Sequence, residues 1–354
     1  MAATARIDVH HHVVPPAFRE AMARHGITHV AGTPLPAWTP QASLDVMDVN
    51  AIRTALLSLS APGVYFGDVP EAKSLARACN EYSARVVSDH PGRFGMFAVL
   101  PTPFAEHACA EAIYALDTLK ADGVVLLGST EGVFLGDPKL DELMAELDRR
   151  KAIVFVHPNL HPTTDQIGLK IPEFIMEFLC DTTRAALNLI LSGRAEKYPS
   201  IRWILSHAGG FLPYIAWRAS LANGLKQYDG LIKDGILTHI RRFYYDTALS
   251  PSPYSMQTLK ALVEPSHILF GSDFPFAPAP VIGIETKTLD ESDVIPADIK
   301  RGIDRGHALA LFPSYAVKGE TPKYPSVYRP TMRGHIRAAV SSPILSLFEA
   351  LRNR

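Results

Sequence analysis

Three consecutive histidines, His10, His11 and His12, stand at the end of a short apolar segment near the start of the sequence. Side chains alternate between the two faces of a β-strand, so His10 and His12 are expected on one face and His11 on the other. Two imidazoles held side by side on a rigid strand supply half of the ligands of a metal site. The segment therefore predicts metal chemistry, with His10 and His12 as ligands and His11 turned toward the wall of the fold.

The same position, the end of an apolar segment, is occupied by His157, His207 and Asp273. A turn signal follows closely in each case, for example Pro158 and Pro275. The carboxyl ends of parallel strands meet at one side of a fold, so these side chains are expected to converge with the two outer histidines of the triplet. Convergence of several such residues indicates an active site more strongly than any one of them alone.

A set of neutral imidazoles and one carboxylate favours Zn²⁺, and Mn²⁺ is the alternative ion. Cys79, Cys109 and Cys180 lie far apart in the sequence, so neither a thiolate site nor a disulfide framework is predicted. The apolar segment that ends at Gly128 offers no lysine or carboxylate to bridge a second ion. We therefore expect a site for a single divalent ion.

His207 and Asp273 have a second possible role in proton transfer. His207 is closely followed by Gly209 and Gly210, which allow a backbone or a ligand to approach closely. We interpret His207 as either a ligand or a proton-transfer group, and a nearby cation would favour its neutral form. Asp273 could both bind the metal and exchange a proton.

These residues need a scaffold that brings strand ends together. Eight short β-rich segments recur along the chain, and most precede a segment with helical spacing. Several are almost continuously apolar, as expected for parallel strands buried on both faces. The alternation predicts an α/β fold of the (β/α)8 TIM barrel type. A doubly wound open sheet is the alternative, disfavoured because no GxGxxG turn follows a predicted strand. The predicted strands are the segment ending in the histidine triplet and residues 54–60, 94–100, 123–128, 152–157, 201–207, 243–247 and 267–273, and the predicted helices include 71–89, 105–121, 138–150, 172–197 and 255–264.

Two regions do not fit the simple repeat. Residues 15–43 are rich in proline and are expected to form a cap insertion over the barrel mouth. Residues 318–354 are predicted to be a C-terminal extension that ends in an apolar helix around 344–351. The barrel itself is assigned to residues 1–317.

Composition limits the classes of partner. The 354 residues are 47% hydrophobic and 20% charged, with a formal net charge of −1, which is ordinary for a globular protein. This balance gives no electrostatic reason to expect a nucleic acid or an anionic membrane as partner. No secretion signal and no apolar run long enough for a membrane span are recognised, so a soluble cytoplasmic protein is expected.

The strand-end motifs resemble the signatures of the amidohydrolase superfamily. They are closest to the branch of aminocarboxymuconate semialdehyde decarboxylase and γ-resorcylate decarboxylase. Within it, residues 10–18 and 57–64 resemble 6-methylsalicylate decarboxylases and their bacterial relatives. The motifs that carry the resemblance are Ile7-Asp8-Val9-His10-His11-His12, Val156-His157-Pro158, Ser206-His207-Ala208-Gly209-Gly210 and Phe270-Gly271-Ser272-Asp273-Phe274-Pro275.

The resemblance implies nonoxidative decarboxylation of a hydroxylated aromatic acid, such as 6-methylsalicylate or a related resorcylate. It implies one divalent metal that chelates the substrate, with Asp273 as candidate proton donor and His207 as its assistant. The ligand set that it implies is His10, His12, His157 and Asp273.

The resemblance also bears on substrate contacts and assembly. Arg218 matches an arginine that reaches the substrate of a neighbouring subunit, which implies a homodimer; it could equally be a surface residue. Phe276 and the cap are expected to contribute to the pocket. Residues 43–48 carry no basic residue, unlike the arginine-bearing segment of the aminocarboxymuconate enzyme, and this favours a small aromatic monocarboxylate.

Two other functions remain open on these residues. A metal-bound water on the same barrel could hydrolyse a lactone, ester or amide, and the ligand set does not separate this from decarboxylation. A barrel that has lost catalysis could serve as a binding or scaffold protein, but such loss usually removes ligands, and all the expected ones are present.

Overall fold

A computed structural model of the protein describes residues 5–322, and its centre is a sheet of eight parallel strands. The strands follow one another in chain order around the sheet. We number them β1 Arg6–His12, β2 Ile52–Ser58, β3 Phe94–Val99, β4 Gly123–Leu127, β5 Ile153–His157, β6 Arg202–Leu205, β7 Tyr244–Asp246 and β8 Ile268–Leu269. All eight predicted strands are present, within a few residues of their expected bounds.

The sheet closes on itself because the chain after β8 returns to β1. The backbone N–H of Val9 donates to the carbonyl of Phe270 at 2.9 Å, and that of Asp273 donates to the carbonyl of His10 at 2.8 Å. His11 forms a parallel bridge with Phe274. The structure is therefore a (β/α)8 barrel, which confirms the predicted fold and excludes the open sheet.

Most strand residues are buried because helices cover the outside of the barrel while side chains fill its inside. Every residue of β1, β3, β4 and β5 is buried. Such strands read in the sequence as continuous apolar runs rather than as an alternating pattern. The helices are α1 Pro16–Arg24, α2 Pro40–Val49, α3 Val69–Asp89, α4 Ala105–Asp117, α5 Asp141–Arg149, α6 Thr164–Ile167, α7 Glu177–Leu191, α8 Arg194–Lys197, α9 Leu212–Ser220, α10 Ile236–Arg242, α11 Pro253–Leu262, α12 Ala279–Asp290, α13 Ala297–Arg301 and α14 His307–Leu311.

The predicted helix over 172–197 is wrong as a single element. The structure has a 3-10 turn at Glu173–Ile175, then α7 and α8. Gly193 separates the two helices because it adopts a left-handed conformation with φ of +75°. Periodicity alone does not reveal such a break when the apolar spacing continues on both sides.

The segment 15–43 contains α1, a short hairpin of His29–Val30 with Thr33–Pro34, and the start of α2. The carbonyl of Ala31 in this hairpin accepts a hydrogen bond from the N–H of Phe174, at 3.3 Å. Residues 15–43 follow the carboxyl end of β1, and Phe174 lies in the segment that follows the carboxyl end of β5. The contact therefore lies at the end of the barrel where the predicted site residues stand. The predicted apolar helix around 344–351 lies outside the described residues.

Smaller elements complete the chain. A search of residues 5–322 finds no helix that is both long and apolar enough to cross a membrane. The remaining elements are a hairpin of Ser129–Thr130 with Val133–Phe134, a π-helical turn at Gly302–Gly306, and 3-10 turns at Pro138–Leu140, His207–Gly209, Leu221–Gly224, Lys226–Tyr228, Pro265–His267 and Pro313–Tyr315.

Candidate metal centre and active site

The end of β1 directs His10 and His12 into the barrel, where their Nε2 atoms lie 3.0 Å apart. Asp273 Oδ1 lies 3.2 Å from Nε2 of His10 and 3.0 Å from Nε2 of His12. With His157, these residues offer four donor atoms that all lie within 4.8 Å of one another. We call His10, His12, His157 and Asp273 the metal group.

The separations within the metal group suit a metal ion. Two donors that each stand about 2.1 Å from one ion are about 3.0 to 3.4 Å apart, depending on whether the geometry is octahedral or tetrahedral. The distances of 3.0 and 3.2 Å around Asp273 Oδ1 fall in this range. Among the described residues, this is the group of three or more potential ligands that could hold a metal.

Each histidine of the group is oriented by a partner at its other ring nitrogen. Nδ1 of His10 is 2.7 Å from Asp246 Oδ2, and Nδ1 of His12 is 3.2 Å from the carbonyl oxygen of Ser58. Nδ1 of His157 is 2.8 Å from the carbonyl oxygen of Pro158. An acceptor at Nδ1 holds a proton there, so Nε2 is the nitrogen that faces the centre and that would bind a metal in its unprotonated form.

Asp273 is held in place by its backbone. It follows β8 in a left-handed conformation with φ of +60°, and its N–H donates to the carbonyl of His10. This geometry turns the carboxylate across the barrel seam toward β1. A strained conformation of a non-glycine residue at a strand end is typical of functional sites.

Electrostatics within the metal group favour a cation. Burial opposes the charged form of His10, but the carboxylates of Asp246 and Asp273 outweigh it and raise its pKa to about 10. Burial lowers the pKa of His12 and sets that of His157 well below its ordinary value. Burial likewise opposes ionisation of Asp273, yet contacts with the histidines hold its pKa well below the usual range. The group thus presents an ionised carboxylate and a positive charge at His10 that a metal ion would replace.

His207 lies beside the metal group on the turn after β6. Its N–H donates to Asp246 Oδ1 at 2.9 Å, and its φ of +52° begins a run of left-handed residues that continues through Gly210. Its Nε2 approaches Asp273 Oδ2 to 3.5 Å, but neither ring nitrogen forms a hydrogen bond within the described residues. The buried imidazole is therefore placed to interact with a ligand or with Asp273.

His11 points away from the metal group, as predicted. Its Nδ1 lies 3.0 Å from Asp8 Oδ2 and its Nε2 lies 2.8 Å from the hydroxyl of Ser43 on α2. The side chain is fully buried. Its contacts are those of a structural residue that joins β1 to α2.

Aromatic rings surround the metal group. The ring of Phe155 lies 4.8 Å from that of His10, and the ring of Phe178 lies 5.7 Å from that of His157. Phe276, which the sequence indicated as a substrate contact, is partly exposed and packs edge-on against His12 at 5.4 Å. Such surroundings lower the local dielectric constant and offer faces to a planar ligand.

Arg218 is not part of the site within its own chain. It is exposed on α9, and the structure shows no hydrogen bond or ion pair between its side chain and another of residues 5–322. Tyr214 and Trp217 on the same helix are 84% and 65% exposed. The side chain of Arg218 is therefore available at the surface to another molecule.

Sequence reasoning missed Asp246, which orients His10 and anchors the backbone of His207. The signal was present, since Asp246 is an ionisable residue at the carboxyl end of β7. It also missed Glu285 on α12, where burial and then the charge of Asp273 raise the pKa to about 9. No local pattern distinguishes a helical glutamate that packs toward the barrel from one that faces solvent.

The fold and the site together define a (β/α)8-barrel protein with a candidate metal centre of three histidines and one aspartate at its strand ends. The family model described as amidohydrolase matches residues 7–313, so the chain belongs to the amidohydrolase family. The resemblance predicted from the strand-end motifs is thereby confirmed.

Two relatives place the chain more narrowly. It is 39% identical over 317 residues to 6-methylsalicylic acid decarboxylase of Penicillium expansum, covering 87% of this chain and 96% of that one. It is 28% identical over 249 residues to γ-resorcylate decarboxylase of a Rhizobium species, covering 66% of this chain and 76% of that one.

Solved structures share the fold. A crystal structure of an amidohydrolase II superposes with a TM-score of 0.81 at 33% identity, covering 87% of this chain and all of that one. A dihydroxybenzoic acid decarboxylase of a Polaromonas species, solved with manganese and 2-nitroresorcinol, superposes with a TM-score of 0.77 at 24% identity, over 89% and 98% of the two chains.

Proposed function

We propose that this protein is a metal-dependent carboxy-lyase that decarboxylates a hydroxylated aromatic acid without oxidation, and that 6-methylsalicylate is its substrate. The observation that carries the proposal is the 39% identity to a 6-methylsalicylic acid decarboxylase over nearly the whole of both chains. The converging metal group supplies the chemistry that such a reaction needs. No observation favours hydrolysis or a scaffold role, so neither is proposed.

His10, His12, His157 and Asp273 would hold one divalent ion. Zn²⁺ suits three imidazoles and a carboxylate, while the fold relative from Polaromonas binds manganese. When bound, the ion supplies a fixed positive charge that offsets the anionic oxygens of the substrate. No second carboxylate or lysine joins the group among the described residues, which favours a single ion.

The reaction breaks the bond between a ring carbon and the carboxylate, and a proton takes the place of the departing CO₂. Asp273 is the candidate proton donor, since its Oδ2 faces Nε2 of His207 at 3.5 Å. The low pKa of Asp273 means that its carboxylate is ionised before the reaction. Asp273 must therefore first accept a proton, and His207 is placed to deliver or stabilise it.

The rest of the pocket would orient the ring and limit access of water. Phe276 packs against His12 at the mouth, where it can contact the face of an aromatic substrate. The contact between Ala31 and Phe174 supports a cap formed by residues 15–43 at the same end of the barrel. Closure of the site would strengthen the electrostatic interactions inside it.

We further propose that the protein acts as a homodimer in which Arg218 reaches the partner's site. The exposed Arg218 lies on the helix that also exposes Tyr214 and Trp217, and aromatic residues with arginine are enriched at interfaces. Mixing Arg218→Ala subunits with His157→Ala subunits should restore part of the activity that each lacks alone. Absence of restoration in a confirmed mixed dimer would reject action between subunits.

We also propose a cytoplasmic location. Cys79 and Cys109 are buried and unpaired, and Cys180 is also free, which suits a reducing compartment. Fractionation with compartment markers would test this.

The decisive test of function is incubation of the metal-loaded protein with a panel of salicylates and resorcylates, with identification of each product. Release of CO₂ from 6-methylsalicylate with formation of 3-methylphenol is expected. Turnover of lactones or esters without CO₂ release from any aromatic acid would overturn the proposal.

A further inference from the structure

A small cavity lies at the carboxyl ends of β2, β3 and β4. It has room for one group about the size of a water molecule or a methyl. We call it the β2–β4 pocket. Its apolar wall includes Leu59, Val64, Val99, Leu100, Val125 and Leu127.

The β2–β4 pocket lies directly beside the metal group. Leu127 is the register partner of His157 on the adjacent parallel strand, and such partners point to the same face about 4.8 Å apart. Val125 lies two residues before Leu127 and therefore shares this face. Ser60, which follows Leu59, places its hydroxyl 3.5 Å from Nε2 of His157. The pocket is thus within the barrel mouth, one strand away from a proposed ligand.

The pocket is suited to an apolar group rather than a polar one. No charged residue lines it, and its polar side chains are Tyr65, Thr102 and Thr130. The hydroxyls of Thr102 and Thr130 lie 3.2 Å from each other, so one donates a hydrogen bond to the other. A hydroxyl substituent that entered would exchange its hydrogen bonds to water for at most a contact with one of these hydroxyls, while apolar side chains surround the rest of it. A methyl group has no hydrogen bonds to water to lose, and its transfer from water into an apolar pocket is favourable.

Gly63 keeps the pocket open. Its φ of +82° is one that residues with side chains rarely adopt, and a Cβ atom at this position would lie 2.9 Å from Cδ1 of Leu127. Any larger residue would therefore push into the wall of the pocket. The small size of the space limits the group that fits to about one carbon atom.

We propose that the β2–β4 pocket receives a methyl-sized apolar substituent of the aromatic substrate, and that it selects among ring-substituted acids while the metal group binds what they share. This inference rests on the proposed function and adds the determinant of specificity. Such a pocket would distinguish 6-methylsalicylate from 2,6-dihydroxybenzoate, because the first carries a methyl where the second carries a hydroxyl. The metal group cannot make this distinction, because it would bind the carboxylate and the hydroxyl that both acids share. One methyl in a fitted apolar pocket changes kcat/KM by about 10- to 200-fold.

The test measures binding and turnover separately. Calorimetry on the manganese-loaded protein would use benzoate, 2-methylbenzoate and 2-ethylbenzoate, which lack the phenolic hydroxyl and serve as probes of binding. The wild-type protein should bind 2-methylbenzoate about tenfold more tightly than benzoate, with a weaker gain or a loss for the ethyl compound. Equal binding of the methyl and unsubstituted probes would overturn the inference.

A matched pair of variants locates the effect. Val125 lines the pocket, whereas Val124 is the neighbouring buried valine on the opposite face of β4. Val125→Ala should move the preference toward 2-ethylbenzoate by about tenfold, because it adds the missing volume. Val124→Ala makes the same chemical change and should leave the ratios of the three affinities unchanged. An equal shift in both variants would show that general loosening, and not the pocket, sets the preference.

The two measurements also separate this inference from the proposed function. Decarboxylation of 6-methylsalicylate without any methyl preference in binding would leave the function and reject the pocket. A methyl preference that Val125→Ala alters, without CO₂ release from any salicylate, would support the pocket and reject the function.

Discussion

Asp246 is the residue whose replacement tests the metal group most directly. Its Oδ2 accepts the Nδ1 proton of His10, while its Oδ1 accepts the N–H groups of His207 and Ala248 at 2.9 and 3.0 Å. In Asp246→Asn, the amide oxygen must remain toward the two backbone donors, so the NH₂ group faces Nδ1 of His10. An NH₂ group donates, so His10 must carry its proton on Nε2 instead, and that nitrogen can no longer bind a metal.

The size of the effect follows from this change of tautomer. Loss of a partner that orients a metal ligand lowers metal affinity by about 10- to 100-fold. That range corresponds to about 1.4 to 2.7 kcal/mol of binding free energy. A loss of metal affinity near 100-fold is expected here, because residue 246 is fully buried and no water can reach Nδ1 of His10 to accept its proton in place of the carboxylate.

The assay is competition with a chelator of known affinity, with Mn²⁺ and with Zn²⁺, followed by metal analysis and kcat measurement at saturating metal. The matched control is Asp8→Asn, the same isosteric change in a buried carboxylate that contacts His11 on the other face of β1. Asp8 Oδ1 also accepts the N–H groups of His10 and Ser272, at 3.1 and 3.0 Å, and an amide oxygen at that position can keep both bonds. Asp8→Asn should therefore lower stability with metal affinity within about twofold of wild type, since the only imidazole that its side chain contacts is that of His11, which is not in the metal group. Wild-type metal affinity in Asp246→Asn, or an equal loss in Asp8→Asn, would refute the reasoning.

The remaining predictions concern the metal group and its neighbours. His157→Ala should abolish activity and lower the metal content measured by elemental analysis, and full retention of metal would remove it from the ligand set. Asp273→Asn should abolish CO₂ release, since it removes a proposed ligand and the candidate proton donor; measurable turnover at saturating metal would contradict that role. His11→Ala should lower the free energy of unfolding by about 2 to 4 kcal/mol in urea titrations, because Asp8 and Ser43 each lose one of their buried hydrogen-bond partners, with metal affinity retained. Metal affinity should rise with pH between about 6.5 and 10, because an ion must displace the proton that the carboxylates hold on His10; a flat profile would argue against this linkage.

The raised pKa of His10 also sets how the metal-free protein responds to pH. A histidine whose pKa is higher in the folded state stabilises that state fully below its unfolded value of about 6.5. This contribution is lost as pH rises toward the folded value of about 10. Bound metal replaces the proton, so the metal-loaded protein should lack this loss. The two forms therefore diverge in thermal stability above about pH 7.

The barrel and the metal group could be predicted from the sequence because their signals are local. An apolar run followed by a histidine and a turn residue describes a buried strand and its end, whatever the partner strands are. The rule that parallel strands place their carboxyl ends together then assembles His10, His12, His157 and Asp273 without coordinates. The one helix that was wrong, over 172–197, was divided by Gly193, whose backbone conformation the apolar spacing does not reveal.

Only the tertiary structure decided what surrounds those four side chains. The amino-acid order shows that His10 and His12 share a face, but the tautomer of each depends on Asp246 and Ser58, which other strands supply. The β2–β4 pocket depends on side chains from three strands and on Gly63, so no single segment contains it. Residue type and spacing therefore determined the chemistry available to this protein. Packing between distant segments decided the orientation, the protonation state and the space around that chemistry, because these depend on contacts that local sequence does not contain.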